Sequence, residues 1–493
     1  VTWERISPDL TAHDPRRQVR SGEPITIDVT GEEYYSTLYA IRESTLEPGT
    51  IWAGANDGPV HVTRDGGKTW TDVTPRGLAP GGRVQNIEPS PHRKGSAYVA
   101  VLRYQLGDFR PYIYRTEDYG HSWTLLTDGS NGIPADQPTR VVREDPEREG
   151  LLYAGTEFGM FVSFDNGRRW QPLQLNLPVT PVTDLKVHRG DLVVSTQGRS
   201  FWILDDLAPL RQLGEVPAGG AHLFRPREAV RMRYSTRFGG EESERESPDL
   251  PQYPAAGAMI DYLLPDGAAD VTLEILDEAG RTVRGFATHR PTPQGDVAVS
   301  AAGLATSGTP LLPAKPGLNR VVWDLTTAGS WDPSPQRSGR NGPAVVPGTY
   351  QVRLTAGGRV LTQPLVVVED PRVLADGVTP ADLREQYEHN LRVRDLVTQV
   401  NLLVARVQRE RQRIGTGTGA AADTARRLAA LEAKLVAEPV RYGRPGLQTH
   451  VTYLYGQTLR ADQKVGRDVV ERYGVLRREL DAAQAELGSI LGS

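Results

Sequence analysis

Apolar and polar side chains alternate in short segments over the first 213 residues, which predicts β-strands rather than helices. The segments fall into four groups of four. The first two groups are Thr37–Arg42, Thr50–Ala55, Pro59–Thr63 and Thr69–Val73, then Val84–Glu88, Ala97–Leu102, Tyr112–Thr116 and Ser122–Leu126. The last two are Thr139–Arg143, Leu151–Gly155, Met160–Ser163 and Arg169–Leu173, then Val182–Val187, Asp191–Thr196, Ser200–Leu204 and Pro209–Leu213. Repeated groups of four short strands are typical of β-propeller blades.

One motif recurs between the third and fourth strands of the first three groups. Its pattern is Ser/Thr-x-Asp-x-Gly-x-x-Trp, the Asp box, and it occupies Thr63–Trp70, Thr116–Trp123 and Ser163–Trp170. The aspartates lie 53 residues (65 to 118) and 47 residues (118 to 165) apart. This spacing fits one motif per blade.

The residues of the motif suit a tight turn. The carboxylate can accept hydrogen bonds from backbone N–H groups, the glycine can take a positive φ, and the tryptophan can bury its ring between blades. We therefore predict a structural role, not a catalytic one, for Asp65, Gly67, Trp70, Asp118, Gly120, Trp123, Asp165, Gly167 and Trp170.

The first six residues resemble the strand that follows a box, with Trp3 in the place of the box tryptophan. This predicts that the chain begins inside a blade. Residues 1–214 would then form a partial ring of about four blades plus one strand. An open blade face exposes apolar surface and a sheet edge. We expect an N-terminal propeller segment or a second chain to complete the ring.

Residues 215–372 have a different pattern, with alternating strands that predict one Ig-like β-sandwich. The predicted strands are Ala258–Leu263, Asp270–Leu276, Thr282–Thr288, Asn319–Leu325, Gly348–Leu354 and Arg359–Val368. The polar, acidic segment Gly239–Gln252 predicts a mobile loop. The Gly- and Pro-rich segment Thr326–Pro347 predicts an inserted loop.

Residues 373–493 are predicted to form a helical bundle. Thr379 is a good N-cap and Pro380 a good first helical residue. Apolar side chains then recur at helical spacing: Leu383, Tyr387, Leu391, Leu396, Val400, Leu403 and Val407. Packing in the bundle is the favoured interpretation of this stripe, and dimerisation is the alternative.

Composition excludes several classes of site. The chain has no cysteine, which rules out disulfides, thiolate zinc sites and a cysteine nucleophile. The formal net charge is −4, without a basic stripe, which argues against a nucleic-acid partner. The nine histidines form no metal-ligand motif, and no apolar segment is long enough to span a bilayer. We expect no cofactor or metal, and nothing in the pattern supports a structural cation such as calcium.

The boxes, together with Gln197-Gly198-Arg199 and the run Ser200–Asp206, resemble a bacterial family of large secreted proteins with Asp-box (BNR) propellers. These proteins are described as glycosyl hydrolase-like or sortilin N-terminal-like. The resemblance covers nearly the whole chain, as the C-terminal portion of such a protein. It implies export to the extracellular space or periplasm and names no substrate. The segments Gly317–Asp324 and Pro347–Tyr350 also resemble FlgD-like Ig domains.

Ligands of propellers usually meet the face built by the loops between second and third strands, opposite the Asp boxes. Those loops predict a polar rim with binding residues Asn56, Arg103, Asp108, Arg110, Gln197 and Arg199. The carboxylates of Asp57 and Glu157 could act as an acid–base pair on a glycoside. A solvated rim with salt bridges is the simpler interpretation of each residue.

Two functions remain open. The favoured one is an exported binding or scaffold module for a protein, peptide or glycan. The alternative is a glycoside hydrolase or related hydrolase with its site at the propeller mouth, so the sequence leaves enzymatic activity undecided. The first is favoured because no recognisable catalytic set is present.

Overall fold

The computed structural model describes residues 2–18, 35–216, 219–233, 256–268, 270–288, 310–333, 341–415, 418–438 and 440–492. The chain divides into two compact units, Val1–Gly214 and Glu215–Ser493. The first unit is built of β-sheets, and the second combines β-sheets with a helical segment. The predicted loop Gly239–Gln252 lies outside the described residues.

Unit 1 is a series of antiparallel meanders, each a β-propeller blade. Blade 1 contains β1 (Leu38–Glu43), β2 (Ile51–Ala55), β3 (Val60–Thr63) and β4 (Thr71–Asp72). Blade 2 contains β5 (Arg83–Pro89), β6 (Ala97–Leu102), β7 (Ile113–Thr116) and β8 (Thr124–Leu125). Blade 3 contains β9 (Thr139–Glu144), β10 (Leu152–Thr156), β11 (Met160–Ser163) and β12 (Gln171–Pro172). Blade 4 contains β13 (Val182–His188), β14 (Asp191–Thr196) and β15 (Phe201–Leu204).

The three box turns have the same hydrogen bonds. In blade 1 the Thr63 hydroxyl donates to Asp65 Oδ1 at 2.8 Å, and the same oxygen accepts from Thr69 N–H at 2.9 Å. Asp118 and Asp165 accept the matching bonds from Ser122 and Arg169 N–H. Backbone and hydroxyl donors from Thr69 lower the pKa of Asp65 to about 2. Each aspartate is therefore engaged within its own turn.

Each box tryptophan bonds, at a fixed register, to the segment that lies before its own blade. Trp123 Nε1 donates to Val73 O at 2.7 Å, three residues after Trp70. Trp170 Nε1 donates to Leu126 O at 3.1 Å, three residues after Trp123. Trp70 Nε1 donates to Ile6 O at 2.8 Å, three residues after Trp3. The outer strand of each blade thus lies beside the next blade. Residues 3–6 occupy the same place beside blade 1.

The box glycines lie at the same contacts. Gly67, Gly120 and Gly167 have φ of 94°, 86° and 82°, a region that disfavours side chains. A Cβ atom there would lie 2.5–2.8 Å from atoms of Ile6, Val73 and Leu126 respectively. Glycine is required at these positions for both the turn and the close approach of the neighbouring strand.

Apolar side chains between adjacent blades form the core of unit 1. Trp52, Val60 and Val62 of blade 1 share one cluster with Ile87 and Val99 of blade 2. Further clusters lie between blades 2 and 3 and between blades 3 and 4. Burial of these side chains at about 25 cal/mol per Å² is the main stabilising term of the meanders.

The predicted outer strand Pro209–Leu213 is wrong, because residues 208–212 form helix α1 (Ala208–Gln212). Pro209 stands in the first helical turn, where its missing N–H costs nothing. The Asp206 carboxylate accepts from Ala208 N–H at 3.0 Å. Blade 4 consequently has three strands, and β15 is a sheet edge within the described residues.

Unit 2 begins with two sheets that share one apolar core. The smaller sheet has the order β16 (His222–Leu223), β18 (Ala258–Leu264), β21 (Gly317–Trp323). The larger has the order β17 (Ala229–Arg231), β25 (Arg359–Glu369), β24 (Gly348–Ala356), β19 (Thr272–Leu276), β20 (Thr282–Ala287). The predicted loop Thr326–Pro347 includes a strand pair, β22 (Thr326–Ala328) and β23 (Asn341–Ala344), and residues 334–340 are not described.

The helices of unit 2 are α2 (Pro371–Ala375), α3 (Pro380–Ile414), α4 (Ala420–Leu435), α5 (Leu447–Thr458) and α6 (Arg467–Leu491). A capping box between Thr379 and Asp382 begins α3, as the sequence predicts for Thr379. Val400, Val407, Leu431, Val451 and Leu480 contribute to one buried cluster of α3–α6. Among the described residues, no helix has the length and apolarity needed to cross a membrane.

Candidate ligand-binding rim

The loops between second and third strands place the predicted residues at one end of the blades. In blade 2 this loop contains a 3₁₀ turn, Tyr104–Leu106, and the buried Arg103. Arg103 donates to Ala79 O at 2.6 Å and to Asp108 Oδ2 at 3.1 Å. Its guanidinium therefore holds two loops together and is not available to a ligand.

Asp108 is the centre of a charged cluster in the same loop. It accepts from Arg110 Nε and Nη2 at 3.0 Å each and from the Tyr112 hydroxyl at 2.7 Å. The hydrogen bonds from Arg110 lower the pKa of Asp108 far below its usual range. Burial raises the pKa of Tyr112 to about 12, and the hydrogen bond that its hydroxyl donates to Asp108 acts in the same direction. Asp108 thus stays ionised and paired, which suits a rigid loop rather than proton transfer.

Asp57 lies in the blade 1 loop and is 3% exposed. Its Oδ2 accepts from Ala12 N–H at 3.0 Å and His13 N–H at 3.2 Å. Its Oδ1 is buried and accepts no hydrogen bond from the described part of the chain. The neighbouring Asn56 Oδ1 accepts from Ser36 and Thr37 N–H at 2.9 and 3.0 Å. Both side chains bind segments that precede β1 in the chain.

Glu157, in the blade 3 loop, pairs with Arg140 at 2.7 Å (Nε to Oε1), and both side chains are largely buried. No described hydrogen bond or ion pair joins Glu157 to Asp57. An acid–base pair on a glycoside needs two carboxylates facing one bond, typically 5–10 Å apart. Each candidate is instead held by a partner of its own.

Blade 4 contributes the two remaining candidates. Gln197 and Arg199 are exposed at the turn between β14 and β15. The backbone of Arg199 is fixed by Thr196 Oγ1, which accepts from its N–H at 3.2 Å, and by Trp202 Nε1, which donates to its carbonyl at 2.7 Å. The Arg199 side chain forms no ion pair with the residues that the structure describes.

The rim also exposes apolar side chains that the sequence reasoning did not select. Leu106, Phe109 and Phe158 are 41%, 55% and 48% exposed. Tyr104 belongs to the same 3₁₀ turn as Leu106, and the Arg140 guanidinium lies 6.0 Å from its ring centre. Arg140 is also bonded to Glu157, the residue before Phe158. Arg140 therefore links the blade 2 loop, through Tyr104, to the blade 3 loop, through Glu157. We call Tyr104, Leu106, Phe109 and Phe158 the rim patch.

A separate polar cavity lies among the helices of unit 2, lined by Gln386, His389, Asn390 and Thr458. His389 Nε2 and Asn390 Oδ1 are buried there without a hydrogen-bond partner among the described atoms. The cavity has room for about one water molecule, which could bond to both atoms. No group of three or more potential metal ligands occurs in the described residues.

No family model matches the chain. An oligoxyloglucan-reducing end-specific xyloglucanase of Emericella nidulans is 28% identical over 114 residues, which cover 22% of this chain and 13% of the xyloglucanase. A solved structure of YCF48 bound to D1 peptide gives a TM-score of 0.27 at 18% identity, covering 34% of this chain and 51% of that chain. The GH74 enzyme of Niastella koreensis gives 0.28 at 11% identity, covering 66% and 45%. The chain thus spans a small part of the xyloglucanase and about half of the YCF48 chain.

These neighbours are β-propeller proteins that include both binding proteins and a glycoside hydrolase. At these identities and TM-scores, none of the similarities assigns an activity to this chain.

Proposed function

We infer that unit 1 is the ligand-binding part of an exported Asp-box propeller protein, and that the sheets of unit 2 form an Ig-like sandwich. The ligand is a polypeptide bound at the rim patch, and further blades complete the ring. The observation that carries this proposal is the contrast between paired charges and exposed apolar side chains at the same rim. Arg103, Asp108 and Glu157 are internally bonded, whereas Leu106, Phe109 and Phe158 face solvent.

Exposed apolar side chains in loops with a rigid base suit recognition of another chain. Aromatic side chains lose little conformational entropy on binding and contribute strongly to interfaces. The base is rigid because Asp108 accepts bonds from Arg103, Arg110 and Tyr112. Arg199, on the blade 4 turn, would contribute a cation for an acidic group of the ligand.

A hydrolase remains the alternative, and it receives less support. The xyloglucanase similarity covers only 22% of the chain. Asp57 binds the backbone of residues 12 and 13, and Glu157 binds Arg140. Catalysis at this rim would have to use the second oxygen of each carboxylate, and that of Asp57 is buried.

Replacing Phe109 or Phe158 with serine is expected to weaken peptide binding about tenfold, because an exposed aromatic anchor would be lost. Binding is measured with a peptide selected on the full chain from a random displayed library, and folding by circular dichroism. Leu125→Ser is the matched control, since Leu125 is 43% exposed on the outer strand β8, away from the rim loops.

Equal affinity of the Phe109, Phe158 and Leu125 variants would contradict the rim proposal. A glycan array would reveal a carbohydrate ligand instead. Turnover of a glycan or peptide that Glu157→Gln or Asp57→Asn abolishes would establish the hydrolase.

A further inference from the structure

We propose that His389 is a proton-sensing site, and that its protonation releases the loop between α5 and α6 from its contacts with α3 and with the sheets of unit 2. This loop, residues 459–466, is called the junction loop. The inference concerns unit 2 alone and is independent of the rim patch.

The junction loop joins the helices to the sheets of unit 2 through ion pairs of Asp462. Its carboxylate accepts from Arg231 Nη1 at 2.7 Å and from Arg233 Nε at 2.8 Å. Arg231 belongs to β17, and Arg233 follows that strand. Arg233 Nη1 also donates to Leu459 O at 2.6 Å. Because the Asp462 side chain is only 3% exposed, its charge is compensated by these arginines rather than by solvent.

On its other side the junction loop is held by α3. Gln386 Nε2 donates to Ala461 O at 2.7 Å and to Thr458 O at 3.2 Å. Gln386 Oε1 accepts from Gln463 N–H at 3.4 Å. Asn390, one turn further along α3, donates from Nδ2 to Thr458 O at 3.1 Å. Hydrogen bonds between neutral groups therefore position the loop and the end of α5 on α3.

His389 lies in the polar cavity between α3 and the junction loop. It is 1% exposed, and its Nε2 and the Oδ1 of Asn390 are buried without a hydrogen-bond partner among the described atoms. Gln463 and Lys464 of the loop also line the cavity, and both are exposed. The remaining walls are turns of α3, α5 and α6. The loop is thus the part of the wall that can open to water while the buried cluster of the helices stays intact.

The surroundings of His389 disfavour a positive charge. The cations that face it are Arg392 on α3 and Lys464 of the junction loop. Among its neighbours, α5 contributes Thr458, and α6 contributes the edge-on ring of Tyr473, whose centre is 6.0 Å from that of the imidazole. None of the described residues that line the cavity carries a carboxylate. Burial, reinforced by Arg392, accordingly lowers the pKa of His389.

The direction of the pH effect follows from proton linkage. With the loop closed, the pKa of His389 lies below its ordinary value of about 6.5, and solvent restores that value when the loop opens. Between the two values the open form binds a proton more readily, so a falling pH favours opening. Above about pH 6.5 both forms are neutral, and the loop stays closed. Opening also separates Asp462 from Arg231 and Arg233, which loosens the helices from β17.

The test is amide hydrogen exchange of the full chain at pH 5.5 and 7.5, measured by mass spectrometry and corrected for the intrinsic effect of pH on exchange. We expect peptides that cover residues 459–466 to lose about tenfold in protection at pH 5.5, the change that one proton bound only by the open form produces per pH unit. Peptides of α4 should keep their protection. An equal loss in α4 would indicate general destabilisation and would overturn the proposal.

His389→Gln is the decisive variant, because glutamine can form hydrogen bonds in the cavity and has no charge at either pH. Its junction loop should be equally protected at pH 5.5 and 7.5. His450→Gln is the matched control, since His450 is a half-buried histidine of α5 outside the cavity. This control should retain the pH effect of the parent chain.

Arg392→Gln tests the same proposal even where His389→Gln fails to fold, because Arg392 is exposed. Without this cation the pKa of His389 in the closed form lies nearer its ordinary value. The loss of loop protection at pH 5.5 should then be clearly smaller than in the parent. Loop protection that does not depend on pH in the parent, or a pH effect that persists undiminished in His389→Gln or Arg392→Gln, would overturn the proposal.

Discussion

Trp170→Ala is expected to lower the free energy of unfolding of unit 1 by about 3–5 kcal/mol, the usual cost of deleting a buried tryptophan. Trp170 is 3% exposed and packs in the cluster between blades 2 and 3 with Tyr98, Ile113 and Phe161. The substitution would leave a cavity and remove the bond from Nε1 to Leu126 O. Urea unfolding of the full chain, followed by far-ultraviolet circular dichroism, measures the change.

The same motif offers a matched control in Trp70→Ala. Trp70 donates the equivalent bond to Ile6 O but is only half-buried, because the structure describes no complete blade before blade 1. A clearly smaller loss is therefore expected. Equal losses for the two variants would mean that the turn, rather than burial between blades, accounts for the effect.

The positions of most strands in unit 1 could be predicted because each blade repeats one local pattern. The turn of the box could be predicted because it is local: Asp65 accepts from Thr69 N–H, four residues on. The failure at Pro209–Leu213 has a local cause as well. Blade 4 has no box, and Pro209 stands in the first turn of a helix, just after Asp206, which accepts from Ala208 N–H.

The position of the rim loops could be predicted from the sequence, but the hydrogen-bond and ion-pair partners of their side chains could not. Asp57 is bound by the backbone of residues 12 and 13, some 45 positions away, and no local pattern encodes such a contact. Arg140, which pairs with Glu157, belongs to an inner strand and looks like any exposed strand residue. The exposure of Phe109 and Phe158 could not be predicted, because an aromatic residue in a loop can be buried or exposed with the same local sequence.

Arg143→Met is expected to destabilise unit 1 by about 3 kcal/mol at pH 7, because it leaves buried acceptors without a partner. Arg143 is 5% exposed and bonds to Glu88, to Asp184 at 2.7 Å and to Leu185 O at 2.7 Å. These bonds join the inner strands of blades 2, 3 and 4. Methionine retains much of the side-chain volume, so the loss would be mainly electrostatic.

The loss should shrink as the pH falls. Burial already raises the pKa of Glu88 above its usual value, and Arg143 opposes that effect. Without Arg143 the pKa of Glu88 in the folded state would rise further above its unfolded value. The folded variant would then bind a proton more readily than the unfolded chain, so its stability would increase from pH 8 toward pH 5 relative to the parent.

Glu88→Gln in the Arg143→Met background is the decisive control. The double variant should recover part of the lost stability at pH 7, and its difference from the parent should no longer depend on the ionisation of position 88. Urea unfolding at pH 5, 6, 7 and 8 gives both quantities. A loss in Arg143→Met that stays constant across this range would show that Arg143 stabilises the blade interfaces through its bonds to Leu185 O and Asp184, and not through the charge of Glu88.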